Sequence, residues 1–156
     1  MDEKYLVFTV LEKQYALPSK LISEVAALEK VFPLPLVPDY VRGIINRYSV
    51  PYALIDICFL LMKETSNAKK VIVLKEEVDK LAFLIDDVTD IADISIEQDE
   101  GGEAADSAVK LLKIEQEGGS IPGLLCSYFE WKGNQVFCLE TSEIISRIKQ
   151  DFDQEA

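Results

Sequence analysis

The chain has 156 residues, with 16 Lys or Arg against 28 Asp or Glu and no His, a net charge of −12. Such an acidic chain lacks the basic stripe that nucleic acid requires, and an anionic lipid surface would repel it. The missing imidazole removes Ser-His-Asp and Cys-His nucleophile activation, His-ligated zinc and histidine phosphorylation.

Short apolar runs bounded by turn or charged residues then recur along the chain. They span Tyr5 to Leu11, Gln14 to Leu17, Gly43 to Asn46, Val50 to Ile55, Val71 to Leu74, Leu81 to Ile85, Ile91 to Ile96, Gly123 to Phe129 and Gln135 to Leu139. Their length and their Val, Ile, Tyr and Phe content are those of strands, which predicts a mostly β protein. Helical periodicity is confined to two places, each after a strand ending in an acid. Ile57 to Met62 follows Asp56, placed to cap it, and Thr141 to about Phe152 carries Ile144, Ile145, Ile148 and Phe152 on one face. Two helices cannot cover a parallel sheet.

The sequence also repeats itself. Tyr15 to Val25 aligns without gaps on Leu81 to Ile91, so that Ala16 matches Ala82, Ser23 matches Thr89, Glu24 matches Asp90 and Val25 matches Ile91. Downstream, Gly43-Ile44-Ile45, a strand, Asp56 and a helix are answered by Gly123-Leu124-Leu125, a strand, Glu140 and a helix. Gly43 and Gly123 stand further apart than Ala16 and Ala82, so the later copy is expected to carry an insertion between Ile96 and Leu111, where the acidic run Glu97 to Asp106 reads as a loop. Each copy has the size of a small SH3-like barrel, marginal alone, and two would share a buried seam suited to partner docking.

Cys58, Cys126 and Cys138 sit in apolar runs without metal spacing and read as buried small hydrophobes in a reducing compartment. Met1-Asp2-Glu3-Lys4 lacks the order of a signal peptide, and no apolar run reaches the roughly 18 residues of a membrane helix, so a cytoplasmic location is expected. Asp86, Asp87, Asp90 and Asp93 are of the type that binds divalent cations or accepts phosphoryl groups. They lack the Asp-x-Asp-x-Asp-Gly loop and the alternating helices of a receiver domain, and read as a solvated turn. Asp56 and Glu140 resemble a catalytic carboxylate pair, but their place before a helix in both copies assigns them to capping. Phe32-Pro33-Leu34-Pro35-Leu36-Val37-Pro38 reads as a stiff connector against the protein rather than a polyproline ligand. Arg42 to Val50 reads as a strand-turn-strand with Arg47-Tyr48-Ser49 at its tip, either an ordinary hairpin or an interface anchored by Tyr and Arg.

The series Phe8-Thr9-Val10, Tyr15-Ala16-Leu17-Pro18, Ile22-Ser23-Glu24-Val25, Pro33-Leu34-Pro35, Tyr40-Val41-Arg42-Gly43-Ile44-Ile45-Asn46, Leu54-Ile55-Asp56-Ile57, Val71-Ile72-Val73-Leu74 and Ala82-Phe83-Leu84-Ile85-Asp86-Asp87-Val88 resembles the CheW-like chemotaxis adaptor domain. The resemblance runs from about Tyr5 to Ile148. It implies one domain over 1–156, built of two SH3-like five-stranded β-barrels packed side by side, halves of approximately 5–66 and 67–152 that exchange strands. It implies no enzyme, no catalytic residue, no metal and no cofactor. The role implied is that of a cytoplasmic scaffold coupling chemoreceptor tips to the CheA histidine kinase in membrane-associated arrays, with other CheW-like domains as further partners.

By position, the resemblance assigns Ile22, Glu24, Val88, Asp90 and Ile91 to a receptor groove between the barrels. It assigns Arg42, Gly43, Asn46, Arg47, Tyr48 and Ser49 to the surface meeting the kinase regulatory domain. The family usually reads Asn-Leu-Arg-Gly where this chain reads Asn46-Arg47-Tyr48-Ser49, which puts Tyr48 at the arginine position and Ser49 at the turn glycine. That arginine typically faces the glutamate matched by Glu24, and a tyrosine cannot form the ion pair. Arg47 adjoins it, but neighbouring strand residues face opposite ways, so no automatic substitution is expected. Ala53 holds a family proline position, with Pro51 two residues early, and Glu140 replaces an aspartate. The chain is therefore expected to be a divergent adaptor with altered partner choice.

Overall fold

The computed structural model describes residues 2–65, 67–95, 110–111 and 124–155. Eleven strands and two α-helices follow one another there as β1 (Asp2–Val10), β2 (Lys13–Pro18), β3 (Ile22–Ala27), β4 (Val41–Arg47), β5 (Val50–Asp56), α1 (Ile57–Met62), β6 (Lys70–Leu74), β7 (Leu81–Ile85), β8 (Asp87–Ser95), β9 (Lys110–Leu111), β10 (Leu125–Trp131), β11 (Asn134–Leu139) and α2 (Thr141–Glu155). They form a six-stranded sheet in the order β8-β1-β2-β11-β10-β9 and a five-stranded sheet in the order β3-β6-β7-β5-β4. These are the two SH3-like barrels that the sequence leads one to expect. The leading strands β1 and β2 lie with β8, β10 and β11, whereas β6 and β7 lie with β3, β4 and β5.

Alternation along the strands sorts the core into three clusters. On β1, Tyr5 and Val7 face the interior of the six-stranded barrel with Ala92, Ile94, Phe129 and Val136, while Leu6, Phe8 and Val10 face the other barrel. On β7, Ala82 and Leu84 face the interior of the five-stranded barrel with Ile45, Tyr52, Val71 and Val73; Leu81, Phe83 and Ile85 face the seam. Strands β6 and β7 are covered on both faces and therefore read as unbroken apolar runs. Ile57 and Leu60 of α1 and Ile144 and Ile148 of α2 complete the seam, which is filled by the chain's own side chains. Asp56 caps α1 by accepting from Phe59 N at 3.2 Å. Glu140 stands at the start of α2, where its backbone carbonyl accepts from Ile144 N and its carboxylate from Ser142 Oγ. Cys58 and Cys138 are buried, and burial, with the nearby Asp56, pushes the Cys58 thiol up to about 11. The Cys126 side chain lies outside the described part of the chain.

The repeat is visible in backbone detail. In β3 a bulge at Ser23 stands opposite Val73 and Leu74; in β8 a bulge at Thr89 stands opposite Val7 and Phe8, and the two bulged residues are partners in the sequence repeat. The second block follows the spacing of Asp56 and Glu140, which is slightly wider than that of Gly43 and Gly123. Bulges between Val41 and Gly43 and between Leu125 and Ser127 correspond, as do the parallel pairs Ala53 with Leu81 and Phe137 with Tyr15. The hairpin turns Tyr48-Ser49 and Lys132-Gly133, all four residues left-handed, also correspond. Gly43 is thus matched by Ser127, and Gly123 lies outside the described residues, as does the acidic run Glu97 to Asp106.

Three elements differ from the sequence reading, the first being the two-residue β9, which adds a sixth strand to one barrel where five were expected. Strand β3 was not expected, because Ile22-Ser23-Glu24-Val25-Ala26-Ala27 alternates half-buried and exposed residues instead of forming an apolar run. Strand β8 begins at Asp87 rather than Ile91, so Asp87, Asp90 and Asp93 belong to a strand, and only Asp86 occupies the bend before it.

Candidate functional site

Strands β4 and β5 pair from Val41↔Ile55 to Arg47↔Val50, leaving Tyr48 and Ser49 as a two-residue turn. Both have positive φ, 52° and 67°, as the right-handed strand twist demands of so tight a hairpin, although neither is Gly or Asn. Tyr48 is 86% exposed. Arg47 shares the inward parity of Ile45 and reaches across the rim of the barrel to β3, where its Nε donates to Glu24 Oε1 at 2.6 Å. The hydrogen bond to Glu24 raises the Arg47 guanidinium above its already high ordinary value. The ion pair that Tyr48 was expected to forfeit is therefore made by Arg47. Side-chain alternation does not extend into the turn, and Tyr48 is a turn residue. Its ring lies 5.5 Å from the Arg47 guanidinium.

The rest of this rim is fixed by a close crossing. Phe32 exchanges two backbone bonds of 2.8 Å with Ile44, drawing the proline segment onto β4. Gly43 has φ 141°, and a Cβ there would lie 2.4 Å from the Phe32 carbonyl oxygen, so only glycine permits the crossing. The segment does lie along the protein at Phe32, as the connector reading requires, but Leu36 projects with 83% exposure. Arg42 lies 3.8 Å from Asp56 Oδ2 through Nη1, and Asn46 and Ser49 are exposed. Arg42, Asn46, Tyr48 and Ser49 are thus surface residues, whereas Gly43 is buried and acts through backbone geometry.

The residues assigned to the receptor groove fall on two strands, β3 and β8, each at the end of its sheet. Ile22 and Val88 both pack partly buried against the shared seam, and Ile91 is 57% exposed. Glu24 and Asp90 serve different barrels: Glu24 bonds Arg47, while Asp90 Oδ2 accepts from Trp131 Nε1 at 2.9 Å and Lys132 Nζ at 2.6 Å. The Lys132 and Trp131 bonds, with the backbone N–H of Ile91, hold Asp90 down to about 2. Each barrel therefore closes by the same device, an acid on the end strand bonded to a residue just before a two-residue turn.

Asp86 and Asp87 are structural partners. Asp86 Oδ2 accepts from Leu11 N at 2.7 Å, fixing the left-handed Leu11-Glu12 turn, and Asp87 is held below its ordinary value chiefly by Lys70. Among the described residues no group of three or more Cys, Asp or Glu is placed to hold a metal ion. No helix among them is long and apolar enough to cross a membrane.

A family model, the CheW-like domain, matches residues 4–149. The chain belongs to the CheW-like family. Among solved structures, the CheW-like chain is similar to the scaffolding protein TtCheW from Thermoanaerobacter tengcongensis, with a TM-score of 0.72 and 17% identity over 90% of this chain and 85% of that one. At that identity the likeness shows the shared fold. No curated protein matches significantly. In this CheW-like domain, sequence reasoning missed the roles of Trp131 and Lys132. The match of Glu24 with Asp90 in the first block of the repeat was the available signal, and it required the correct offset of the second block to show what each acid would meet.

Proposed function

We propose that this CheW-like protein is a non-enzymatic scaffold that couples chemoreceptor cytoplasmic tips to a CheA-type histidine kinase in arrays at the cytoplasmic side of a membrane. The match of the CheW-like family model over residues 4–149 carries this reading, since membership implies an adaptor role in chemotaxis. The kinase regulatory domain meets the tip of the first barrel, with Tyr48 as its anchor beside Arg42, Asn46, Arg47 and Ser49, on a backbone shaped by Gly43. An exposed tyrosine on a short, well-paired hairpin brings large contact area at low entropic cost. The receptor tip lies along Ile22, Glu24, Val88, Asp90 and Ile91, where exposed Ile91 and half-buried Ile22 and Val88 supply apolar surface. The contact at each site is weak and gains strength from avidity in an array. The chain acts as one domain of two halves, approximately 5–66 and 67–152.

Tyr48 and Ser49 stand where the family's arginine and glycine are usual, which makes this a divergent member with altered partner choice. Reconstitution with the cognate kinase and receptor tips, scored by complex formation and autophosphorylation rate, tests the coupling. Comparison with the Tyr48→Arg, Ser49→Gly variant on a standard CheA regulatory domain tests the choice. Equal binding by both proteins would refute altered choice and leave coupling intact.

A further inference from the structure

The two barrels differ at one set of matched positions. In the six-stranded barrel Trp131 packs against the interior cluster that contains Tyr5 and Phe129, whose rings lie 5.5 Å apart, and its indole N–H is bonded to Asp90. In the five-stranded barrel the counterparts are Arg47 for Trp131 and Ile45 for Phe129, by the spacing of Asp56 and Glu140, and Val71 for Tyr5, by the spacing of Ala16 and Ala82. Three aromatic side chains are thus answered by two aliphatic ones and an arginine that turns to Glu24. A cavity of about 210 Å³ stands there, lined by Ala27, Phe32, Ile45, Val71, Lys30 and Arg47, with Glu29 and Asn46 also at its wall.

We propose that this cavity is a binding site for one aromatic side chain, an indole foremost, supplied by a partner polypeptide and occupying the space that Trp131 fills in the other barrel. Its volume is below the roughly 300–1,000 Å³ of small-molecule sites and suits a side chain rather than a cofactor. Its chemistry is complementary to an electron-rich ring: Ile45, Val71 and Phe32 give apolar walls, Lys30 and Arg47 bring cations to a π face, and Glu29 and Asn46 offer acceptors for a ring N–H. Lys30 Nζ already stands 4.8 Å from the centre of the Phe32 ring. The site rests on the comparison of the barrels and not on the coupling role proposed above.

The test is a titration of the intact, methyl-labelled protein with N-acetyltryptophanamide, following the Ile45 and Val71 methyl resonances. Saturable shifts at both, with Kd on the order of 1 mM as for a lone ring in a small pocket, and none with N-acetylalaninamide, are expected. Ile45→Phe, alone or with Val71→Tyr, installs the other barrel's residues and should weaken binding about tenfold by filling the space. A tryptophan-containing peptide should bind at least as tightly as the amide, whereas preference for the free amide over every such peptide would overturn assignment to a polypeptide. Absence of saturable shifts in the unaltered protein, equal shifts with the alanine compound, or undiminished binding by a folded Ile45→Phe variant would overturn the site.

Discussion

Arg47 Nε stands 2.6 Å from Glu24 Oε1 and so ties β4 to β3, the two end strands of the five-stranded sheet. The two side chains are 22% and 25% exposed, which shields the pair more than an ordinary surface bridge. It is one closure of the first barrel and also the point where the proposed kinase and receptor surfaces adjoin.

A double-mutant cycle over Glu24→Gln and Arg47→Gln should give a coupling of about 1 kcal/mol, between the values for exposed ion pairs and for hydrogen bonds to charged groups. Urea unfolding of the four proteins measures it. Additive effects would show that the contact does not help to close the barrel.

Gly43→Ala should destabilise the protein by about 3 kcal/mol or more, because the new Cβ meets the Phe32 carbonyl at 2.4 Å and φ is 141°. Thermal or urea unfolding checks this, and amide exchange at Ile44, whose N–H donates to Phe32 O, should accelerate with it. Gly133→Ala, with open space around the added methyl, should lose only the cost of its positive φ, a smaller effect.

Ser49→Gly should stabilise the hairpin by about 0.5–1 kcal/mol, since φ 67° strains serine and suits glycine. An unchanged unfolding midpoint would mean that the Tyr48-Ser49 turn relaxes at no cost.

Asp90 predicts an acid limb to stability. Its folded pKa, about 2, lies below the ordinary aspartate value of 3.8, so the unfolded chain takes up a proton first. The stabilisation is complete above about pH 4 and fades as pH falls through 2. Carboxyl-carbon NMR should place the Asp90 midpoint near 2 and move it upward in Lys132→Ala, while Asp90→Asn should flatten this part of the pH profile. A midpoint near 3.8 in the unaltered protein would contradict the Lys132 and Trp131 contacts.

The apolar rhythm made much of this architecture legible. Ile57–Met62 was expected with the observed bounds, and Val71–Leu74 and Leu81–Ile85 fall within or on β6 and β7, because strands covered on both faces leave unbroken apolar runs. Strand β3 was hidden because Ser23 and Glu24 share it with a bulge, and such a one-sided strand has no run to betray it. The Arg47 to Glu24 contact was misjudged because strand alternation was carried into the Arg47-Tyr48-Ser49 tip, whereas Arg47 is the last paired residue of β4 and Tyr48 the first of the turn. The offset of the second block was obscured by Gly123, whose identity to Gly43 outweighed the better match of Asp56 with Glu140 at a slightly wider spacing.

Two separable partner surfaces on one scaffold can be resolved by sedimentation of the protein with a cognate kinase regulatory domain and receptor tip fragment together. One complex containing all three is expected, from which Tyr48→Ala removes only the kinase domain and Ile91→Asp only the receptor fragment. Failure of the folded protein to bind either partner, or loss of both partners on a single one of these exposed-site substitutions, would contradict it.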